Sequence, residues 1–406
     1  MRLIQEFNNV DEQRPIIVYG TAVYGKILYY GLCQQGKHVV GFADKFPKKS
    51  YMGKPVFDLT GLQVYVKKEN AVVLLAVTKS LKTVVRQLEE IHITEYYSAI
   101  EVMNKVILPE HEREQQVVNS YKMRWQYEYS INEYNSFGQL YVPSLDVVVS
   151  ERCSLRCKDC SNLMQYYHNP ANLDIDVVHE TLERFLAQID YLGELRILGG
   201  EPFMCPDFTK LITWYANDSR IMRIGVYSNA TIFPGEEILQ VFNSDKLVMH
   251  FSDYGLLSRN LEKWIAYCNE KEISCVVTKM DQWHDCGRLE KRNYSAEEKN
   301  RVYQTCECKD LPTLLHGYLY NCPYAAHAAN LGAMDEGECR RDCLSFCSAD
   351  DVYTADELRD FLFKRAHLEA CDYCSGRNYS LKAIPPFVQT KEPLSYERKD
   401  DRQWQR

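Results

Sequence analysis

Three cysteines constrain this chain more than any other feature. Cys153, Cys157 and Cys160 form C-x3-C-x2-C directly after the apolar run Leu145-Asp146-Val147-Val148-Val149-Ser150. The pattern predicts a buried strand that ends in a metal-binding loop. Three thiolates within eight residues suit three irons of a 4Fe-4S cluster, whereas clusters that only carry electrons are closed by four cysteines. An iron left without a protein ligand implies that a small molecule binds there, as an open position does at a catalytic zinc. Taken alone, the triplet also fits a zinc knuckle.

Composition narrows the classes. Sixteen cysteines stand in a chain whose start, Met1-Arg2-Leu3-Ile4-Gln5-Glu6, has no signal-peptide core, which points to metal and not to disulfides. The apolar run Ala71 to Val77 is far short of a membrane span, so a cytoplasmic protein with no membrane partner is expected. A net charge of -8 without a basic block gives a nucleic-acid partner no electrostatic support. A length of 406 residues predicts two or three domains.

The fold class is α/β. Residues 1–108 read as a small three-layer Rossmann-like domain, with strands Ile16 to Tyr19, Val39 to Ala43 and Ala71 to Val77, the last buried on both faces. Gly20-Thr21-Ala22-Val23-Tyr24-Gly25 is a degraded G-x-G-x-x-G, and Asp44 stands where an acid would meet a ribose. These residues are candidate nucleotide contacts; a tight strand-to-helix turn that binds nothing explains the glycines equally well. Residues 109–140 are polar and read as a helical linker. From 141 to 300, strand starts near 145, 194, 223, 247 and 273 alternate with helical patterns such as Val177 to Leu192 and Leu261 to Lys271. That is a repeating βα cadence. Such sheets carry their chemistry on loops at the C-terminal strand ends. By that rule Asp253, Tyr254, Trp283 and His284 are candidate substrate contacts, and ordinary loop packing is the alternative for Trp283 and His284.

Two further motifs accompany the triplet. Strand Leu195-Arg196-Ile197-Leu198 runs into Gly199-Gly200-Glu201-Pro202, and the next strand ends in Tyr227-Ser228-Asn229. With the triplet, these resemble the motifs of the radical SAM enzymes. The resemblance implies a partial parallel (β/α)6 barrel and a 4Fe-4S cluster on Cys153, Cys157 and Cys160, whose open iron is chelated by S-adenosylmethionine. It further implies reductive cleavage of that molecule to methionine and a 5'-deoxyadenosyl radical. Gly199 and Gly200 would bring backbone close to S-adenosylmethionine, Pro202 would complete that cofactor-binding element, Glu201 would accept from its ammonium, and Ser228 and Asn229 would meet its ribose or carboxylate. Asp159 departs from the pattern, standing where the family carries an aromatic residue.

A second cysteine set lies in 301–382. Cys306, Gly317, Cys322 and the pair Cys371 and Cys374 resemble the twitch and SPASM extensions of that family. The resemblance implies a hairpin at Gly317 and one auxiliary 4Fe-4S cluster, with Cys308 a rival to Cys306 as ligand. Cys339, Cys343 and Cys347 repeat at intervals of four, which predicts one helix face. The tail, 383–406, contains Pro385, Pro386 and Pro393 and is expected to wrap the surface or stay disordered.

The function implied is hydrogen-atom abstraction from a carbohydrate-like or nucleotide-linked small molecule, with a flavodoxin or ferredoxin-type electron donor. A dehydrogenase is favoured. The alternatives are an epimerase with Cys286 or Cys205 as hydrogen donor, a peptide-modifying maturase, and a nucleotide-binding iron-sulfur scaffold without turnover.

Overall fold

The computed structural model describes residues 2–7, 13–46, 48–78, 80–109, 126–309, 311–378 and 382–399. The chain divides into two compact units, Met1–Gly138 and Gln139–Arg406. Half of the expected linker, 110–125, and the tail end, 400–406, lie outside the described residues. Among the described residues no helix is long and apolar enough to cross a membrane.

The first unit is built on strands β1 (Gln5–Glu6), β2 (Ile16–Tyr19), β3 (Val39–Ala43), β4 (Ser50–Tyr51), β5 (Lys54–Phe57), β6 (Val72–Leu75) and β7 (Tyr96–Ser98). They lie in the order β1-β7-β6-β2-β3-β5-β4, and every pairing is parallel except β4 with β5. β2 and β6 are buried along their whole length, as parallel strands covered on both faces must be. Helix Leu81–Glu90 buries Leu81, Val84, Val85 and Leu88, one stripe at helical spacing. The helix over 126–135 places Tyr127, Ile131 and Tyr134 in this unit's core.

The second unit carries strands β8 (Tyr141–Ser150), β9 (Tyr191–Gly199), β10 (Ile221–Ser228), β11 (Leu247–Asp253), β12 (Ser274–Lys279), β13 (Trp283–His284), β14 (Thr313–Leu315), β15 (Tyr318–Tyr320), β16 (Cys343–Ser345) and β17 (Ala383–Ile384). The main sheet runs β12-β11-β10-β9-β8-β14-β15-β16. β8 to β12 are parallel neighbours in sequence order. A sixth parallel strand, β14, adds beside β8 and comes from beyond residue 300. It turns back through His316 and Gly317, at φ 49 and 84, into β15. Two successive residues of positive φ make the tight hairpin turn whose twist matches its strands, which is why a glycine stands there.

Two local expectations are corrected. The helix read over Val177 to Leu192 spans Ile175–Leu186; β9 starts at Tyr191, because Leu192 and Leu195 pair with β8 in the sheet interior. Cys339, Cys343 and Cys347 do not share a helix face. The helix is Glu336–Asp342, and Cys343 opens β16, where the free edge of β15 offers ladder partners that outweigh a further helical turn.

Candidate functional site

The C-terminal ends of β8, β9, β10 and β11 meet at one cavity of about 310 Å³. Cys153, Cys157 and Cys160 line it together, along with Gly199, Gly200, Ser228 and Asn229. The three motifs, spread over 77 residues of sequence, therefore converge on one space. Burial raises the pKa of all three thiols, that of Cys157 to about 12, so each is a neutral thiol until a metal displaces its proton. Among the described residues no three His, Cys, Asp or Glu side chains gather about a single-ion position. A cluster makes no such demand, since each of its irons takes a separate thiolate. Three thiols lining one cavity of that volume fit a cluster and an additional ligand.

The neighbouring chain fixes this loop. A Cβ on Gly200 would lie 2.4 Å from Arg152 O and 2.8 Å from Cys153 Cβ, and one on Gly199 would lie 2.3 Å from Ser150 O. The glycines thus admit the cysteine loop itself. Pro202 starts the buried 3-10 turn Pro202–Met204. Glu201 is fully buried and does not line the cavity. Its Oε1 accepts from Ser228 Oγ at 2.9 Å and Phe203 N at 3.3 Å, and its Oε2 from Asn229 N at 2.8 Å. Burial pushes its pKa up to about 7 against those bonds. The carboxyl braces the end of β10, and Asn229 passes the restraint on, donating from Nδ2 to Ser154 Oγ at 3.1 Å and to Cys153 Sγ at 3.6 Å.

The second cysteine set reaches the same cavity through Cys308, which lines it with Cys286 and Arg377. Cys306 and Cys308 share a hydrogen bond that lowers the Cys306 pKa and raises that of Cys308; Cys286 and Cys374 share another, lowering Cys286 and raising Cys374. Cys322 and Cys371 lie within Coulombic reach of Cys306. Arg377 binds the group together, donating from N to Cys306 Sγ at 3.3 Å and from Nη1 to Cys308 Sγ at 3.5 Å. Six thiols therefore gather where four are needed.

Among the other candidates, Tyr254, Trp283 and His284 line the cavity, with the Tyr254 and Trp283 rings edge to face at 5.9 Å. Asp253 does not; its Oδ1 accepts from Gly255 N at 2.8 Å in its own turn. Cys205 is buried in the hydrophobic core and also stands away from the cavity, so packing explains it. In the first unit, Asp44 Oδ2 accepts from Thr21 N at 2.9 Å and Thr21 Oγ1 at 2.7 Å. Burial would raise the Asp44 pKa, but these bonds and one from Phe46 N outweigh it and leave it lowered. A Cβ on Gly20, at φ 127, would strike Ala76 O at 2.7 Å, and one on Gly25 would strike Gly20 O at 2.1 Å. All three residues are accounted for by the turn itself.

Two contributions escape sequence reasoning. Asp159 pairs with Arg288 at 2.7 Å at the cavity wall. Gln389, on the tail, donates from Nε2 to Cys157 Sγ at 3.1 Å and accepts at Oε1 from Arg156 N at 2.7 Å. No motif marks Gln389. Charged residues inside apolar strands, Asp146 and Arg196, are a legible signal that the motifs overshadow.

No protein-family model matches the chain, and no curated protein matches it. Among solved structures it is similar to Streptococcus suis SuiB bound to S-adenosylmethionine, at 16% identity and a TM-score of 0.30, over 54% of this chain and 49% of that one; the match thus spans about half of SuiB. It is also similar to BtrN in complex with AdoMet and 2-DOIA, at 16% identity and a TM-score of 0.39, over 64% of this chain and 98% of that one. For tagged anSMEcpe with bound AdoMet the figures are 12% identity, a TM-score of 0.39, and coverage of 64% and 90%.

Proposed function

We propose that this protein is a radical SAM oxidoreductase that removes a hydrogen atom from a carbohydrate-like or nucleotide-linked small molecule, as a dehydrogenase. The observation that carries the reading is the convergence of Cys153, Cys157 and Cys160 with Gly199-Gly200 and Ser228-Asn229 on one cavity. A 4Fe-4S cluster bearing S-adenosylmethionine would supply, on one-electron reduction by a flavodoxin or ferredoxin-type donor, a 5'-deoxyadenosyl radical able to take hydrogen from carbon. The protein's part is to hold three thiolates in the lining of one cavity, to fix them through Asn229 and Glu201, and to shield that space.

The second set supports dehydrogenation. A substrate that has lost a hydrogen atom becomes a closed-shell ketone by giving up one electron and one proton. A cluster held among Cys306, Cys308, Cys322, Cys371 and Cys374 would supply an electron acceptor beside the cavity that Cys308 lines. An epimerase is the second reading, and one observation favours it: Cys286 faces the cavity, where a thiol could return a hydrogen atom. Its hydrogen bond to Cys374 makes it a member of the second set first.

The test uses anaerobically reconstituted protein, expected to hold about eight irons in two clusters. Replacing Cys153, Cys157 and Cys160 by Ala is expected to remove one cluster and all formation of 5'-deoxyadenosine; a triple variant that still forms it overturns the reading. Wild type that binds iron and never cleaves S-adenosylmethionine under reducing conditions is a scaffold. In heavy water, an unoxidised product carrying deuterium, lost with Cys286→Ala, would replace the dehydrogenase by the epimerase.

A further inference from the structure

The inner face of the second unit's sheet is charged where a packed sheet would be apolar. Asp146 on β8 pairs in register with Arg196 on β9, and Tyr227 on β10 pairs with His250 on β11. Arg196 Nη1 lies 3.0 Å from Asp146 Oδ1, and its Nε lies 4.0 Å from Glu194 Oε2. The guanidinium sits over the Tyr227 ring at 4.4 Å, and that ring stacks on His250 at 4.2 Å with an interplanar angle of 1°. Glu194 accepts from Tyr227 Oη at 3.2 Å and stands 3.3 Å from His250 Nε2. Gly225 makes room for this carboxylate, since a Cβ there would lie 2.7 Å from Glu194 Oε1.

This layer is the floor of the cavity that the cysteine motifs line: Asp146, Arg196 and Tyr227 belong to both. Asp146 is 3% exposed, whereas the Arg196 side chain keeps 19% of its surface open. Stacking on Tyr227 holds the guanidinium in place. Close as Nη1 lies to Asp146 Oδ1, that oxygen and Arg196 Nε both lack a hydrogen bond. A held cation, its Nε unbonded and its side chain partly open in the cavity lining, can take an acceptor there.

Charge decides which acceptor. Arg196 stands between two buried carboxylates, Asp146 and Glu194, so its positive charge is already compensated. A phosphate or carboxylate brought here would meet both of them in a medium of low dielectric, at a cost one guanidinium does not offset. A neutral hydroxyl meets no such penalty: it accepts from the guanidinium and keeps a proton to donate. The rings of Tyr254 and Trp283 on the same cavity supply apolar faces, the usual complement to a few fixed polar groups in a small-molecule site.

We infer that Asp146, Arg196 and Tyr227 form a substrate subsite that takes the neutral, hydroxyl-bearing end of a polyol or sugar, and that any anionic part of the substrate lies outside this floor. The inference rests on the function proposed above and specifies the substrate for the same cavity.

The test is calorimetric binding to the iron-loaded full chain with S-adenosylmethionine present. The probes are myo-inositol, N-acetylglucosamine and UDP-glucose, whose hexose end is neutral, against inorganic phosphate and acetate, which have no neutral hydroxyl-bearing end. At least one neutral-ended probe is expected to bind, and the two anions to bind more weakly. Arg196→Lys, which keeps the charge and the fold but loses the stacked fork, and Arg196→Met are each expected to weaken the neutral probe about tenfold. Iron content and S-adenosylmethionine affinity should stay as in wild type. Binding of inorganic phosphate or acetate as tight as that of the neutral probes, unchanged affinity in Arg196→Lys, or no binding by any neutral probe overturns the subsite. Loss of S-adenosylmethionine binding in wild type, with neutral-probe binding kept, would instead remove the radical reading and leave the subsite standing.

Discussion

Glu201 illustrates what a motif does and does not convey about a single residue. The sequence places it in Gly-Gly-Glu-Pro at a strand end, and the resemblance makes it a ligand for an ammonium. In the structure its carboxyl is enclosed and receives three donors from the chain itself. Which groups surround a side chain depends on the neighbouring strand's register, and no local pattern encodes that. Glu201→Gln replaces one acceptor oxygen by a donor facing donors, so a loss of about 1–3 kcal/mol in folding stability is expected, read by chemical denaturation of iron-free protein. The pH dependence has a definite sign. Burial raises the Glu201 pKa from an ordinary 4.5 to about 7, so the carboxyl's contribution to stability is full below pH 4.5 and is lost as pH rises through 7. The stability difference between wild type and the Gln variant should therefore shrink across that window. A constant difference from pH 4.5 to 7 would mean that Glu201 ionises as readily folded as unfolded.

At the scale of elements, the strands buried on both faces were legible and the short ones were not. β2, β6 and the Val147 to Val149 stretch of β8 announce themselves as apolar runs. β14 has three residues and exists because the edge of β8 is open to it, a long-range fact. The tail is the clearer lesson. Its prolines argue against helix and leave its course undetermined, yet residues 387–391 bind the cysteine loop. Lys158 N donates to Val388 O at 2.7 Å and Thr390 N to Arg156 O at 2.8 Å, Cys157 and Gln389 form an antiparallel bridge, and the Phe387 ring lies 5.4 Å from that of Tyr254. β17 anchors the strap by pairing with β13. An N–H donor at a ligating sulfur stabilises the more negative, reduced cluster and so raises its potential. Gln389→Leu is expected to lower the midpoint potential of the cluster on Cys153, Cys157 and Cys160, measured by redox titration followed by electron paramagnetic resonance, with iron content kept. An unchanged potential would mean that the amide serves only the Arg156 backbone.

For the whole molecule, the change of cadence near residue 300 marks where βα alternation stops, while the core continues. One hydrophobic cluster runs from Leu140 through Val147, Phe185 and Trp264 to Leu319, Phe346, Leu362 and Tyr373. Phe185 packs on Phe346 at 5.6 Å, Arg184 Nη1 donates to Phe346 O at 3.1 Å, and β14 completes the ladder on β8. The first unit closes a separate core around β2 and β6. Sequence periodicity registers repeats of secondary structure, and it carries no information on which repeats share a core, so these two boundaries look alike in the sequence and differ in the fold. They should differ in experiment. A protein lacking residues 1–138 is expected to keep one cooperative thermal transition and to bind iron at both cysteine sets. A protein ending at residue 300 would expose the β8 edge and the apolar surface that Phe346, Leu319 and Leu362 cover, an aggregation-prone combination. It is expected to be insoluble, or to melt without a cooperative transition in circular dichroism, even though every residue of the first cysteine motif is present. A soluble, cooperatively melting 1–300 protein would mean that the cysteine-rich region packs on a sheet already complete without it.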